Sequence, residues 1–234
     1  MNAPIVRRVA TAVCLVLTAT LAPIRGASAA SAPIQVRLGP GSALWLAGTS
    51  TLHDFESRTA ETVVTMTRDG AAPEPRDAAG LAALMRALAV RDVEVTVPVL
   101  TLRSEKSGLD KNLWKTLKAG EYPNIVFHLD RYSLPDSGAA GDTIAVKAEG
   151  SLTVVGVSRP ATLLLRAYPG DGGLWVEGRY ALRMTEFGIK PPKMMLGTLR
   201  VGDRITVGYK LLLATRDGDD PPSVNGGTAQ ERSR

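Results

Sequence analysis

An all-β fold with minor α content, its antiparallel strands closed into a barrel or packed as a sandwich, follows from three observations. Apolar and polar residues alternate with period two through most of the chain between residues 34 and 215, the signature of strands buried on one face and wet on the other. Glycine is abundant, at 23 of 234 residues, and aromatics are scarce at 5%, which suits many turns around a core of Val, Leu and Ala. Only two short stretches carry helical spacing. The length allows one large domain or two small ones, and the composition excludes collagen, coiled coil and wholesale disorder.

Residues 1–29 read as a secretory signal peptide. Arg7 and Arg8 form a basic start, Val9 to Leu21 is an uncharged apolar run, and Ala27-Ser28-Ala29 supplies small residues before cleavage near Ala29. Thirteen apolar residues are too few to span a bilayer core, which needs about 20. The expectation is export to the periplasm or beyond, with no stable membrane insertion. Setting the leader aside leaves 25 basic against 23 acidic residues and no cysteine, since Cys14 lies in the leader. Such a chain has no electrostatic case for nucleic acid and no disulfide.

The domain is expected over 30–215, with strands near 34–39, 43–49, 59–67, 91–103, 124–133, 142–157, 160–169 and 173–185, and a closing strand at 203–215. In Ile144–Val154 every even position is apolar or small; Leu174–Met184 and Ile205–Leu213 repeat the pattern. Long strands in one chain close or pack because open edges invite aggregation. Asp77 is placed to cap a helix with Leu81, Leu84, Met85 and Leu88 on its apolar face. Ser107 is placed to cap a second, bearing Leu109, Leu113 and Leu117, with Gly120 as its stop. Both are expected to plug or cover the sheet. From 216 to 234 the composition turns polar and reads as a disordered tail.

Reactive chemistry is thin. His53 and His128 are the only histidines, and neither has the spacing of a metal site. No Gly-x-Ser-x-Gly elbow and no phosphate-cradling glycine loop is present. The unusual stretch is Glu186 to Gly197, where a proline pair sits among Phe187, Ile189, Met194, Met195 and Leu196. It reads equally as the lining of an apolar site or as a plug folded back onto the core.

Five motifs in order resemble those of the YceI-like family of exported proteins: Gly48-Thr49-Ser50-Thr51-Leu52-His53-Asp54-Phe55-Glu56; Leu113 to Ala119 followed by Tyr122 to Phe127; Gly150 to Pro160; Phe187 to Pro192; and Gly202 to Val207. The resemblance covers roughly residues 34–213. It implies an extended, lipocalin-like antiparallel β-barrel with an apolar tunnel holding a polyisoprenoid or similar long-chain lipid. By analogy it also implies a possible homodimer. The segment Asp77–Val90 departs from the family pattern as a helical insertion.

On that reading Val146, Leu152, Val154, Val176, Tyr180, Leu182, Ile205, Val207 and Tyr209 face the tunnel, joined by Phe187, Ile189, Met194 and Met195 of the loop. Small residues at Ala148, Gly150 and Gly178 are expected to leave room inside. No cofactor, metal or catalysis is expected, and Lys190 and Lys193 read as solvated surface charges. Two alternatives stay open: a ligand-free envelope-stress or protein-interaction barrel, and a lipid-acting enzyme using His53 and Asp54.

Overall fold

The computed structural model describes residues 31–135, 141–194 and 199–215. The expected leader and polar tail lie outside the described residues. Within them the chain forms twelve strands: β1 (Ala32–Ile34), β2 (Val36–Leu38), β3 (Ala43–Ser50), β4 (Phe55–Thr59), β5 (Val63–Arg68), β6 (Val90–Pro98), β7 (Asn124–Ser133), β8 (Ile144–Val154), β9 (Val157–Gly170), β10 (Gly173–Arg183), β11 (Lys193–Met194) and β12 (Leu199–Thr215). Two α-helices interrupt them, α1 (Ala78–Arg86) and α2 (Ser107–Thr116).

The strands form one antiparallel sheet in the order β1-β5-β6-β7-β8-β9-β10-β12-β3-β4, with β2 and β11 also pairing β12. It curls because one face is apolar and must be removed from water. In β8 the buried residues are Ile144, Val146, Ala148, Gly150, Leu152 and Val154, and every intervening residue is partly exposed. The two edges of the curl are drawn together by bent segments. β4 pairs with β3 while β5, running in the same direction after a jog at 60–62, pairs with β6. In the same way β1 pairs with β5 and the adjoining β2 with β12. Arg58 and Arg103 exchange backbone hydrogen bonds of 2.7 and 2.8 Å, and the Thr59 and Thr101 hydroxyls lie 2.7 Å apart beside them. An edge left bare would be a site for aggregation, and these contacts cover part of it.

Strand boundaries differ from the periodicity at several places: the strand expected at 34–39 is split into β1 and β2, β9 and β12 begin at Val157 and Leu199, before the expected 160 and 203, and three further differences have a local cause. The run expected at 59–67 is two elements, because β4 turns Ser57 and Thr59 inward and so shows no apolar alternation. The strand expected at 142–157 ends at Val154, where Val155 and Gly156 take φ of 50° and 73° in a two-residue hairpin, the form that matches strand twist. A side chain at 156 would also strike the Tyr122 ring, 2.5 Å from an ideal Cβ. The expected strand 91–103 stops at Pro98 and passes into a short 3₁₀ turn, Val99–Thr101.

Both helices lie where expected, with altered ends. Asp77 caps α1, accepting from the Gly80 amide at 2.7 Å. Leu88, expected on its apolar face, lies past the helix end at φ 52° and is exposed. Ser107 does not cap α2: it is the first helical residue, and Lys106 at the cap makes no side-chain bond. Nor is Gly120 the stop. The left-handed residue is Lys118, at φ 49°, with the Ala119 amide bonded back to the Trp114 carbonyl at 2.9 Å. The Ala89 amide bonds to the Leu84 carbonyl in the same way. Both helices therefore close with the same reverse-bonded C-terminal turn, on residues other than glycine.

The antiparallel pairings put α1 at one end of the curled sheet, with the 171–172 hairpin. The other end carries α2, the turn at 51–54, the 155–156 hairpin and the segment after β10. Among the described residues no helix is long and apolar enough to cross a membrane.

Candidate functional site

Inside the sheet lies an apolar cavity of about 320 Å³. It extends from beneath α1, where Leu81 and Met85 bound it, to beneath α2, where Leu109, Leu113 and Leu117 do. Every strand from β3 to β10, and β12, contributes to the wall, and among the described residues no charged one is part of it. A space of this size and polarity lies in the range of small-ligand sites.

The strand residues expected on the inner face gather there. Val146, Leu152 and Val154 from β8, Val176, Tyr180 and Leu182 from β10, and Ile205, Val207 and Tyr209 from β12 all line the cavity. Cross-strand pairing aligns them: Val176 opposes Leu211, Tyr180 opposes Val207 and Leu182 opposes Ile205. Phe187 and Ile189 also line it, and both are buried. Their segment folds inward after Gly188, at φ 70°, as the Ile189 amide bonds to the Met184 carbonyl at 3.1 Å. Asp203 anchors the same turn by accepting from the Thr185 amide at 2.9 Å and hydroxyl at 2.8 Å. Those bonds, led by the one from the amide, hold its carboxyl below the usual range. Met195 lies outside the described residues. Of Met194 only the backbone is described, paired with Leu199.

Small residues do not all open space as expected. A Cβ on Gly150 would stand 2.1 Å from the His128 carbonyl oxygen, so backbone already fills that position. At Gly178 the Tyr209 ring occupies the notch, its hydroxyl 2.4 Å from an ideal Cβ. That hydroxyl is buried without a hydrogen-bond partner, and burial pushes the phenol up to about 12. The glycine thus makes room for a neighbouring side chain instead of a ligand.

Several wall residues have little or no sequence signal. Ser57 is buried and polar, and Asn112 and Thr116 come from α2. Leu44, Leu46, Val93, Val95 and Val97 also line the cavity, and their alternation was readable once the inner face was known.

His53 and Asp54 sit exposed in the β3–β4 turn, where the His53 carbonyl accepts from the Ser50 amide at 3.2 Å and hydroxyl at 2.7 Å. His128 lies on the outer face of β7, opposite Glu94 and Ser151. The turn that carries His53 joins β3 and β4, which lie far from the His128 strand β7 in the sheet order. Among the described residues no three His, Cys, Asp or Glu side chains gather to hold a metal. Lys190 and Lys193 are exposed.

Sheet and cavity together define a lipocalin-like architecture, an antiparallel sheet curled round an apolar interior. A family model described as the YceI-like domain matches residues 47–212, and the chain belongs to that family. Two solved structures share the fold. One is BcnA from Burkholderia cenocepacia, 14% identical, with a TM-score of 0.55 over 74% of this chain and 96% of that one. The other is described as a polyisoprenoid binding domain from Saccharophagus degradans implicated in plant cell wall breakdown. It is 10% identical, with a TM-score of 0.55 over 78% of this chain and 99% of that one. No curated protein matches the chain.

Proposed function

We propose that the protein holds one polyisoprenoid or similar long-chain apolar lipid in the cavity, and stores or carries it outside the cytoplasm without transforming it. The observation that supports this most is the wall itself: an apolar space that continues from one capping helix to the other, with no charged side chain along it among the described residues. The description of the Saccharophagus degradans domain as polyisoprenoid-binding points the same way. Burying about 20 carbons yields roughly 16 kcal/mol gross at about 0.8 per carbon. Ordering and association costs remove much of it, so tight binding needs no polar motif. The reading requires no cofactor and leaves His53 and Asp54 as turn residues.

Mass spectrometry of organic extracts from protein purified out of its native envelope, beside a control protein processed in parallel, tests it. A stoichiometric prenyl species is expected. A fatty or aromatic species would keep the cavity as a site and discard the isoprenoid. No bound lipid, repeated after incubation with prenyl ligands, would overturn the reading in favour of a ligand-free interaction barrel.

A further inference from the structure

The two ends of the curled sheet differ in charge. Among the described residues, the connections at the α1 end carry two basic and five acidic side chains. Those at the α2 end carry six basic and five acidic, with Lys193 of β11 beside them, and one of the five acids, Asp110, is buried. Asp110 is occupied internally, accepting from the Ser104 amide and hydroxyl at 2.7 Å each.

The excess is ordered along α2. Lys111, Lys115 and Lys118 recur at i, i+4 and i+7, one exposed stripe continued past the last helical residue. Leu109, Leu113 and Leu117 take the opposite side, against the cavity. Among the described residues none of the three lysines forms an ion pair. Lys118 lies 5.8 Å from the Tyr122 ring, and the acids nearest the stripe in the chain are Glu105, Glu121 and the buried Asp110. The exposed charges of this helix are lysine alone, which is unusual for a surface that meets only water, where both signs normally intersperse.

Two further features sit at this end. Leu52, in the β3–β4 turn, is 69% exposed, and Leu100, in the turn after β6, is 52% exposed. Trp114 of α2 is half-buried, with the Arg103 guanidinium 4.1 Å from its ring centre. Lysine, arginine and tryptophan beside exposed leucines form the composition of a surface that rests on lipid headgroups.

We propose that the α2 end docks on an anionic bilayer surface, with the lysine stripe meeting phosphate headgroups and the α2 end of the cavity turned to the membrane. The charge difference between the ends would orient the approach. Binding of this kind is peripheral and leaves the fold outside the bilayer. It rests on the carrier reading only for its purpose, delivery or uptake of the lipid; the docking itself is separable from it.

The test is sedimentation of the full chain with vesicles of phosphatidylglycerol and phosphatidylethanolamine, and with vesicles of phosphatidylcholine, at low and high salt. Binding to the anionic vesicles alone, weakened by salt, is expected. Each basic residue near such a surface contributes about fivefold in partitioning, so Lys111→Gln/Lys115→Gln/Lys118→Gln should lose on the order of a hundredfold. Arg76→Gln, at the α1 end, should bind as the parent does. Equal binding to both vesicle types, no binding at low salt, or a triple variant that binds like the parent would overturn the proposal. Lipid content is read on the same preparations: an empty protein that still binds anionic vesicles overturns the carrier reading and supports docking, whereas a loaded protein that ignores them does the reverse.

Discussion

The two helices have similar lengths and the same kind of C-terminal turn, yet they close their ends of the sheet differently. α1 buries Leu81, Ala82 and Leu84, and its neighbours Ile34, Ala89, Val90, Ala167 and Leu174 are buried with it. It is also held from outside: the Tyr132 hydroxyl donates to the Met85 carbonyl at 3.1 Å and the Arg86 guanidinium to the Asp142 carbonyl at 3.0 Å. α2 buries only Asp110 among its own residues, and Leu109 and Leu113 remain half-exposed. What differs is the surface each helix was given to cover. α1 seats against β9, β10 and β12, whereas α2 hangs over the cavity on a loop fixed by Asp110 and by the Trp114 indole, which donates to the Leu102 carbonyl at 3.1 Å. A stable plug and a loosely seated cover thus arise from two amphipathic helices of the same design. The lesson is that amphipathicity specifies which face turns inward, and the partner surface sets how firmly it is held.

The largest expected effect tests that contrast directly. Leu81→Ala should lose about 3 kcal/mol of stability and Leu113→Ala under about 1, by chemical denaturation, since the first leaves a cavity in a closed core and the second only shaves a half-exposed contact. Equal losses would break the comparison.

Next in size is a pH effect from the wall between the two ends. The Tyr209 phenol is raised to about 12 by burial. A phenol raised in the folded state keeps its full stabilising effect below the unfolded value near 10 and loses it as pH climbs through the folded value. Denaturation midpoints should therefore fall between pH 10 and 12, by an amount equivalent to about 2–3 kcal/mol. Tyr209→Phe should flatten that fall and, having no unpaired hydroxyl to bury, be at least as stable as the parent at pH 7. A variant as alkali-sensitive as the parent would assign the fall to another group.

Asp110→Ala should cost roughly 2 kcal/mol, because it leaves the Ser104 amide without its charged acceptor. Hydrogen exchange should show the loss confined to α2 and the 104–106 loop, with α1 unchanged. Spread of the effect to α1 would mean that the two ends unfold together. The smallest change, Asp77→Ala, removes the α1 cap and should cost about 1 kcal/mol. If α2 exchanged faster than α1 even in that variant, the contrast would be sharpened, since the plug would be held by its packing more than by its cap.

How much was readable beforehand varied with burial pattern. β8 alternates strictly, and β10 and β12 alternate along most of their length, so they could be placed, with their inner face, from residues alone. β4 could not, since Ser57 and Thr59 face inward and carry no apolar signal. The Val155-Gly156 turn was missed because valine rarely adopts positive φ. Its cause lies across the fold: β8 and β9 pair in a register that brings Val154 opposite Val157 and leaves two residues to turn, with the Tyr122 ring against Gly156.

From the residue order alone came the strand class, the inward set on the long strands, the two amphipathic helices and the family. Period and propensity are local properties, and they suffice for these. The tertiary structure alone decided which end is plugged and which is loosely covered, and that Gly150 and Gly178 receive neighbours in place of a ligand. It also decided that the lysines of α2 and the leucines at positions 52 and 100 share one end. Those outcomes depend on register and on the curl of the sheet, which bring together residues far apart in the chain, as where the Gly39 amide meets the Leu212 carbonyl at 2.8 Å.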